Sequence, residues 1–121
     1  MDREKAIDET KFSPGELREA LVERHSEETQ QKLEQGRVAI AGLGGLGSNV
    51  AIALTRIGVG HLHLLDFDRV DLTNLNRQQY FLDQVGWYKT EALSETLQRI
   101  NPYLDIRFDT VKITDENIQE L

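Results

Sequence analysis

The residues with the clearest chemical use form a glycine-rich stretch, residues 42–48, with the sequence GLGGLGS. Such a stretch between a strand and a helix binds phosphate: its glycines allow a tight turn, close approach of backbone to the phosphate, and close helix packing. These three roles fall on Gly42, on Gly44 with Gly45, and on Gly47. Asp66 follows about 20 residues later, where a carboxylate can accept hydrogen bonds from a ribose. The stretch therefore predicts a nucleotide site without saying which nucleotide.

A polar segment after Asp66 adds groups that suit a longer phosphate chain. It supplies Asn74 and Arg77, and Lys89 stands at the head of the next predicted helix. Two cations and an amide beside a phosphate loop suit a triphosphate, whose charge must be neutralised before a carboxylate attacks it. Hydride transfer to or from a nicotinamide cofactor needs no such clamp. On position alone, surface ion pairing of Arg77 and Lys89 with the abundant carboxylates accounts for them equally well.

Three other residues are candidates on weaker grounds. Arg24, at the break between two predicted helices, could reach a nucleotide phosphate in its own chain or in a neighbouring copy. His61 and His63 lie two apart on one strand face and could in principle hold a metal. Because the sequence offers no third ligand nearby, we expect them to be partly exposed strand residues instead.

The spacing of the apolar residues predicts alternating helices and strands. One helix should begin after Ser13, which can form a capping box with Glu16, and a second should run from Ser26 to about Gln35. The remaining elements are expected at 38–41 (strand), 46–58 (helix), 61–65 (strand), 88–100 (helix) and 105–110 (strand), with Thr114 capping a last helix.

The two longer helices have predicted inner faces, and the first should end at Gly58 in the left-handed conformation. The inner residues are expected to be Val50, Ala51, Leu54 and Ile57 in the first helix and Ala92, Leu93, Leu97 and Ile100 in the second.

This order of elements predicts an α/β fold, a Rossmann-like parallel sheet with flanking helices, truncated after its first three strands and preceded by N-terminal helices. Loops 42–48 and 66–79 should then meet at the carboxyl edge of the sheet. We divide the chain into a flexible tail (1–12), an N-terminal helical segment (13–35) and the first half of a nucleotide-binding domain (36–121).

Composition narrows the function further. The net charge of −7 and the pI near 4.9 argue against a nucleic-acid or anionic-membrane surface. The chain has no cysteine, which excludes disulfides, thiolate zinc sites and a cysteine nucleophile within these residues. It has neither an apolar run long enough to span a bilayer nor a signal-like N-terminus, so a cytoplasmic protein is expected.

Six motifs stand in order along the chain: the glycine loop, Gly58-Val59-Gly60-His61-Leu62, Asp66-Phe67-Asp68-Arg69-Val70, Asn74-Leu75-Asn76-Arg77-Gln78, Gly86-x-x-Lys89 and Ile100-Asn101-Pro102. Together they resemble the ThiF/MoeB/E1 superfamily, whose members activate ubiquitin-like proteins. The similarity runs from about Gln30 to Phe108. Within the superfamily, the sequences of these motifs are most similar to those of ThiF-type proteins of thiamine biosynthesis.

The resemblance implies an adenylyltransferase that uses ATP and Mg²⁺ to join AMP to the C-terminal glycine of a small sulfur carrier protein, releasing pyrophosphate. It implies that Gly45 and its neighbours bind phosphate and that Asp66 binds the ribose. It makes Arg77 and Lys89 the catalytic cations, and it favours a homodimer. The other residues that it assigns to phosphate are Thr73 and Asn74, with Arg24 in the part of an N-terminal arginine supplied by a partner copy.

The resemblance is incomplete, and three alternatives stay open. The family's magnesium-linked aspartate follows a later strand, which this sequence does not offer, so we expect the chain alone to be inactive in adenylation. The alternatives are an ATP-dependent tRNA-modifying dehydratase of the same superfamily, an NAD-dependent oxidoreductase half-domain, and a non-catalytic interaction module.

Overall fold

The computed structural model describes residues 12–121, so the predicted tail lies outside the described residues except for Phe12. In chain order the helices and strands are α1 (Pro14–Arg24), α2 (Glu27–Gln35), β1 (Arg37–Ala41), α3 (Gly45–Ile57), β2 (His61–Leu65), α4 (Lys89–Ile100) and β3 (Asp105–Asp109). Short 3₁₀ turns lie at Leu72–Asn74, Leu82–Gln84 and Ile118–Glu120. None of the helices in this part of the chain combines the length and apolar character needed to cross a bilayer.

The three strands form a parallel sheet in the order β1-β2-β3, which confirms the Rossmann-like α/β prediction. Helices α3 and α4 pack against each other and against the strands. The largest fully buried side chains between them include Leu43, Leu64, Leu93 and Leu97. Parallel pairing places the carboxyl ends of β1 and β2 side by side, so the loops that follow these strands are neighbours.

Local signals set the predicted helix ends. Ser13 accepts a hydrogen bond from the backbone N–H of Glu16, and the Glu16 carboxylate accepts one from the Ser13 N–H, so the capping box is confirmed. Ser26 caps α2 through the N–H of Thr29. Gly58 ends α3 with φ +102°, the left-handed conformation that glycine adopts at little cost.

The predicted inner face of α4 is confirmed, because Ala92, Leu93 and Leu97 are buried and Ile100 is half-buried. The predicted face of α3 is partly wrong. Its buried residues are Ser48, Ala51 and Thr55, whereas Val50 and Ile57 are 36% and 47% exposed. The two buried hydroxyls can lie inside because each has a hydrogen-bond partner: the Thr55 hydroxyl donates to the Ala51 carbonyl, and the Ser48 oxygen accepts from the Gln79 N–H.

At the end of the chain, one strand residue is exposed and the prediction for Thr114 needs correction. Phe108 pairs with Leu64 in register but is 40% exposed, because β3 is an edge strand of this sheet. Thr114 does not cap an α-helix: it exchanges two hydrogen bonds with Asn117, and the segment continues as the short 3₁₀ turn at Ile118–Glu120.

The two histidines of β2 are half-buried, as expected for strand residues that point away from Leu62 and Leu64. Each also meets a carboxylate of β3: His61 Nδ1 lies 2.8 Å from Asp105 Oδ2, and His63 Nε2 lies 2.6 Å from Asp109 Oδ2. The sequence did not indicate these cross-strand pairs.

Candidate functional site

The glycine loop leaves β1 in a sharp turn and opens directly into α3. Gly42 has φ +91°, and its N–H donates to the Leu65 carbonyl at 2.8 Å, which ties the ends of β1 and β2 together. Gly44 stands at the N-cap of α3, and no side chain among the described residues caps this helix. The first N–H groups and the positive end of the helix dipole are therefore available to an anion.

The glycines of the loop fall into two groups. A Cβ on Gly47 would stand 1.8 Å from the Gly42 carbonyl oxygen, so the fold itself requires glycine there. A Cβ on Gly44 or Gly45 would meet its nearest protein atom at 3.6 Å, an ordinary contact. The chain's own atoms leave room for a side chain at these two positions. A ligand that lies against the backbone at these two positions leaves no room for a side chain, which explains glycine at both. The loop therefore fits a bound phosphate.

Asp66 lies at the end of β2 and holds the loop from one side. The residue is 8% exposed; Oδ2 accepts from the Leu43 N–H and Oδ1 from the Asp68 N–H, both at 2.7 Å. Each carboxylate oxygen keeps a further lone pair, so these bonds leave acceptor capacity for a ribose hydroxyl. The structure thus gives Asp66 a positioning role that the sequence did not predict, beside its predicted binding role.

Tyr80 holds the same loop residue from the other side. Its phenol is buried, and the hydroxyl donates to the Leu43 carbonyl at 2.6 Å. Burial, together with the nearby Asp66 charge, raises the pKa of Tyr80 above its ordinary value, so the phenol stays protonated and remains a donor. Leu43 is therefore fixed at both its N–H and its carbonyl by side chains from outside the loop.

Ser48 and Asn49, in the first turns of α3, bind the segment 77–79 to the helix. The Ser48 hydroxyl accepts from the Gln79 N–H at 3.1 Å, and the Gln79 amide donates to Asn49 Oδ1 at 2.8 Å. Asn49 Nδ2 donates to the Gly45 carbonyl at 2.5 Å and to the Arg77 carbonyl at 3.4 Å. These bonds place Arg77 directly beside Gly45, which confirms that the two predicted loops meet.

Arg77 reaches this position with its charge uncompensated. Its guanidinium is exposed and, among the described residues, donates only to neutral amides, Asn74 Oδ1 at 3.2 Å and Asn76 Oδ1 at 3.4 Å. Thr73 lies in the same segment, but its N–H and hydroxyl both donate to Asp71 Oδ1 at 2.9 Å. Those two bonds, the backbone one first, lower the pKa of Asp71. Of the two predicted phosphate-binding residues Thr73 and Asn74, only Asn74 therefore contacts the Arg77 guanidinium among the described residues.

Lys89 is the first residue of α4, and only 5% of it is exposed. Its ammonium lies 4.0 Å from Asp68 Oδ2, and its N–H donates to the Asp68 carbonyl at 3.0 Å. The long separation and the exposed carboxylate make this a loose ion pair, and a stronger anion could replace it.

The structure does not bring Arg24 to the loop within one chain. It ends α1, whose Leu21 lies 3.0 Å from where a Cβ of Gly58 would stand, at the carboxyl end of α3. The 13 residues of α3 span about 20 Å. A phosphate contact by Arg24 of the same chain is therefore disfavoured, and one across a dimer stays a prediction.

Four residues of this site had no role predicted from the sequence: Ser48, Asn49, Gln78 and Tyr80. Gln78 is 8% exposed, and its Oε1 is a buried side-chain atom without a hydrogen-bond partner among the described residues. Its Nε2 lies 3.6 Å from where a Cβ of Gly44 would stand. Its place next to Arg77 in the quoted motif was the one signal that pointed to it.

The site fits a nucleotide phosphate better than it fits a magnesium ion of its own. Within residues 12–121, no group of three or more His, Cys, Asp or Glu side chains is placed to hold a metal.

Comparison with known proteins gives three sets of relatives. The model of the ThiF family matches residues 17–121, beyond the range expected from the motifs. Ubiquitin-like modifier-activating enzyme 5 of Arabidopsis thaliana is 45% identical over 84 residues, 69% of this chain and 20% of that protein. Its Caenorhabditis elegans counterpart is 42% identical over the same shares of the two chains. The chain thus spans about a fifth of the length of the curated relatives that it matches.

Two solved structures are also similar. The E. coli tRNA N6-threonylcarbamoyladenosine dehydratase TcdA, in complex with ATP, matches with a TM-score of 0.82 and 31% identity, over 89% of this chain and 46% of that one. E. coli MccB with ATP matches with a TM-score of 0.72 and 34% identity, over 76% of this chain and 28% of that one.

Proposed function

Because the chain belongs to the ThiF family, we propose that it is the ATP-binding part of an adenylyltransferase that activates the C-terminal carboxylate of a ubiquitin-like protein. The observation that carries the proposal is Arg77. Its charge has only neutral partners among the described residues, and it is tied beside Gly45 at the uncapped start of α3. Two of the similar structures, TcdA and MccB, are complexes with ATP.

In the proposed reaction a carboxylate oxygen of the protein substrate attacks the α-phosphorus of ATP. The new bond makes an acyl-adenylate, the bond from the α-phosphorus to the bridging oxygen breaks, and pyrophosphate leaves with the electron pair. No covalent group of the enzyme is needed, so catalysis rests on positioning and charge neutralisation. The first N–H groups of α3, with Arg77, Lys89 and Asn74, would neutralise and orient the phosphates, and Asp66 would bind the ribose.

The finer assignments are part of this proposal. The amino-acid sequence of residues 74–78 supports a sulfur carrier protein of thiamine biosynthesis as the substrate. The relatives support the broader class of ubiquitin-like proteins. Magnesium would be held with the help of residues other than those described. Arg24 of a partner copy would complete the phosphate contacts in a homodimer, in a cytoplasmic protein.

The proposal is tested by calorimetric titration with ATP plus magnesium and, in parallel, with NAD. We expect ATP to bind and NAD to bind far more weakly. Arg77→Ala should weaken ATP by about 1.5–3 kcal/mol, because a charge-assisted hydrogen bond to phosphate is lost. Arg37→Ala is the matched control, because Arg37 is exposed at the start of β1, the end opposite the loop. Binding of NAD without ATP would overturn the proposal in favour of a dinucleotide enzyme.

A second candidate is the ATP-dependent tRNA dehydratase, favoured by the TM-score of 0.82 to TcdA over 89% of the chain. The net charge of −7 weighs against a tRNA surface within these residues. A filter-binding assay with tRNA, in parallel with a ubiquitin-like protein in pyrophosphate exchange, separates the two on the complete protein. Exchange that depends on the ubiquitin-like protein supports the first candidate, and retention of tRNA without exchange supports the second.

A further inference from the structure

A cavity of about 670 Å³ lies beside the glycine loop, between α3 and α4, with residues 75–81 along one side. Three arginines line it: Arg56 from the last turn of α3, Arg99 from the last turn of α4, and Arg77. Among the described residues the lining includes no Asp or Glu. We call this cavity the arginine cleft.

The arginine cleft is a cationic site in an acidic protein. The chain as a whole has a net charge of −7, yet within residues 12–121 neither Arg56 nor Arg99 has a carboxylate within salt-bridge distance. A cation in the last turn of a helix interacts favourably with the helix dipole, by about 0.3–1 kcal/mol. That effect accounts for an arginine at each helix end. It does not explain why Arg56, Arg99 and Arg77 all line one cavity that has no carboxylate in its described lining.

The distance along α3 from the phosphate loop to Arg56 indicates how far a ligand that reaches both must extend. Arg56 follows Gly45 by 11 positions, about 16 Å along α3 at 1.5 Å per residue. A nucleotide held at the start of α3 has its phosphates at the opposite end of the helix from Arg56. An extended peptide advances about 3.3 Å per residue, so about five residues cover the same distance. An extended acidic peptide therefore fits both the charge and the length.

We propose that the arginine cleft binds an extended acidic segment of the protein substrate, whose carboxylates pair with Arg56 and Arg99. Arginine suits this role because its planar fork binds a carboxylate through two parallel hydrogen bonds. One end of the segment lies at Arg77, next to the phosphate loop, so the cleft would guide the substrate toward the reacting phosphate. That the peptide belongs to the protein substrate rests on the proposed function; the preference of the cleft for an acidic peptide does not.

The test is fluorescence anisotropy with fluorescein-labelled hexaglutamate as the probe and labelled hexaglutamine as the neutral reference. The variant is Arg56→Gln/Arg99→Gln. The matched control, Arg37→Gln/Lys112→Gln, removes the same charge from two exposed positions outside the cleft. At low salt, about 50 mM, we expect hexaglutamate to bind and hexaglutamine not to bind. The cleft variant should weaken hexaglutamate by about tenfold or more, and the control by less than about twofold. ATP affinity, measured in parallel, should be unchanged in both variants.

Four results would overturn the proposal. They are absence of hexaglutamate binding, equal losses in the cleft and control variants, binding of inorganic tripolyphosphate that the cleft variant weakens more than it weakens hexaglutamate, and a dimer in sedimentation that the cleft variant converts to monomer. The last would assign the cleft to a second copy of this chain. Failure of ATP binding with peptide selectivity intact would reject the proposed function and leave the cleft as an acidic-peptide site, so the two failures are distinguishable.

Discussion

Tyr80→Phe is the sharpest test of how the glycine loop is held in place. The substitution removes one hydroxyl and leaves the ring, so it creates almost no cavity. The lost bond is the 2.6 Å contact from the phenol to the Leu43 carbonyl, between residues that are 6% and 0% exposed. A buried carbonyl left without a donor costs about 1–3 kcal/mol. We expect the free energy of unfolding to fall by that amount.

ATP affinity should fall as well, by up to about tenfold, because the loop loses one of its two side-chain ties at Leu43 and must be ordered by the ligand. The assay is urea unfolding followed by circular dichroism, with calorimetric ATP titration at a temperature where both proteins are folded. Tyr88→Phe is the control. Tyr88 stacks under the Arg69 guanidinium at 4.0 Å, and a phenylalanine ring keeps that contact. We expect Tyr88→Phe to change stability by less than about 0.5 kcal/mol.

Equal effects of Tyr80→Phe and Tyr88→Phe on stability would refute the reasoning, because the phenol–carbonyl bond would then contribute nothing. Unchanged ATP affinity with lowered stability would refute a narrower point. It would show that the loop keeps its binding geometry without Tyr80, and that Asp66 alone suffices to hold it.

Three further predictions concern stability. Above pH 10, the ordinary pKa of tyrosine, only the unfolded chain releases the Tyr80 proton, because burial raises the folded pKa. Wild type should then lose stability by up to about 1.4 kcal/mol per pH unit more than Tyr80→Phe, and the two slopes should agree below pH 10. Gln78→Met should raise the free energy of unfolding in urea by about 1 kcal/mol, because it removes a buried oxygen without a partner among the described residues. Gln79→Met should lower it, because it removes the hydrogen bond to Asn49. Gly60→Ala should lower the thermal midpoint and reduce the free energy of unfolding by about 3 kcal/mol, since its Cβ would stand 1.9 Å from a backbone oxygen of α2. Gly15→Ala, whose Cβ would meet no atom closer than 3.8 Å, should be tolerated.

The sequence predicted well those features that depend on neighbours along the chain. The cap at Ser13, the start of the second helix at Ser26, the left-handed Gly58 and the turn at Gly42 all rest on residues within a few positions of one another. The alternation in β2 likewise showed which residues face the helices. Because the carboxyl ends of parallel strands share one edge, these local features were enough to bring the two predicted loops together.

The errors have a common physical origin. Helix α3 carries apolar residues on almost every side, so its periodicity does not decide which side faces the sheet. The choice is made by partners far away in sequence, such as the bond from the Gln79 N–H to Ser48, which joins residues 31 apart. The ties from Leu43 to Asp66 and Tyr80 span 23 and 37 positions. No local pattern in a single sequence encodes such pairs.

These distant ties give a criterion for sorting the residues of the site. A residue that orders the loop is part of the folded structure, so its loss should change stability and affinity together; Asp66, Tyr80 and Ser48 belong to this group. A residue whose charge has no carboxylate partner in the described chain contributes little to folding, so its loss should change affinity alone, and Arg77 belongs here. A loop already fixed before the ligand arrives spares the ligand the cost of ordering it. In the proposed reaction, the binding energy of the phosphates would then be available at the reacting bond, where Arg77 would neutralise charge.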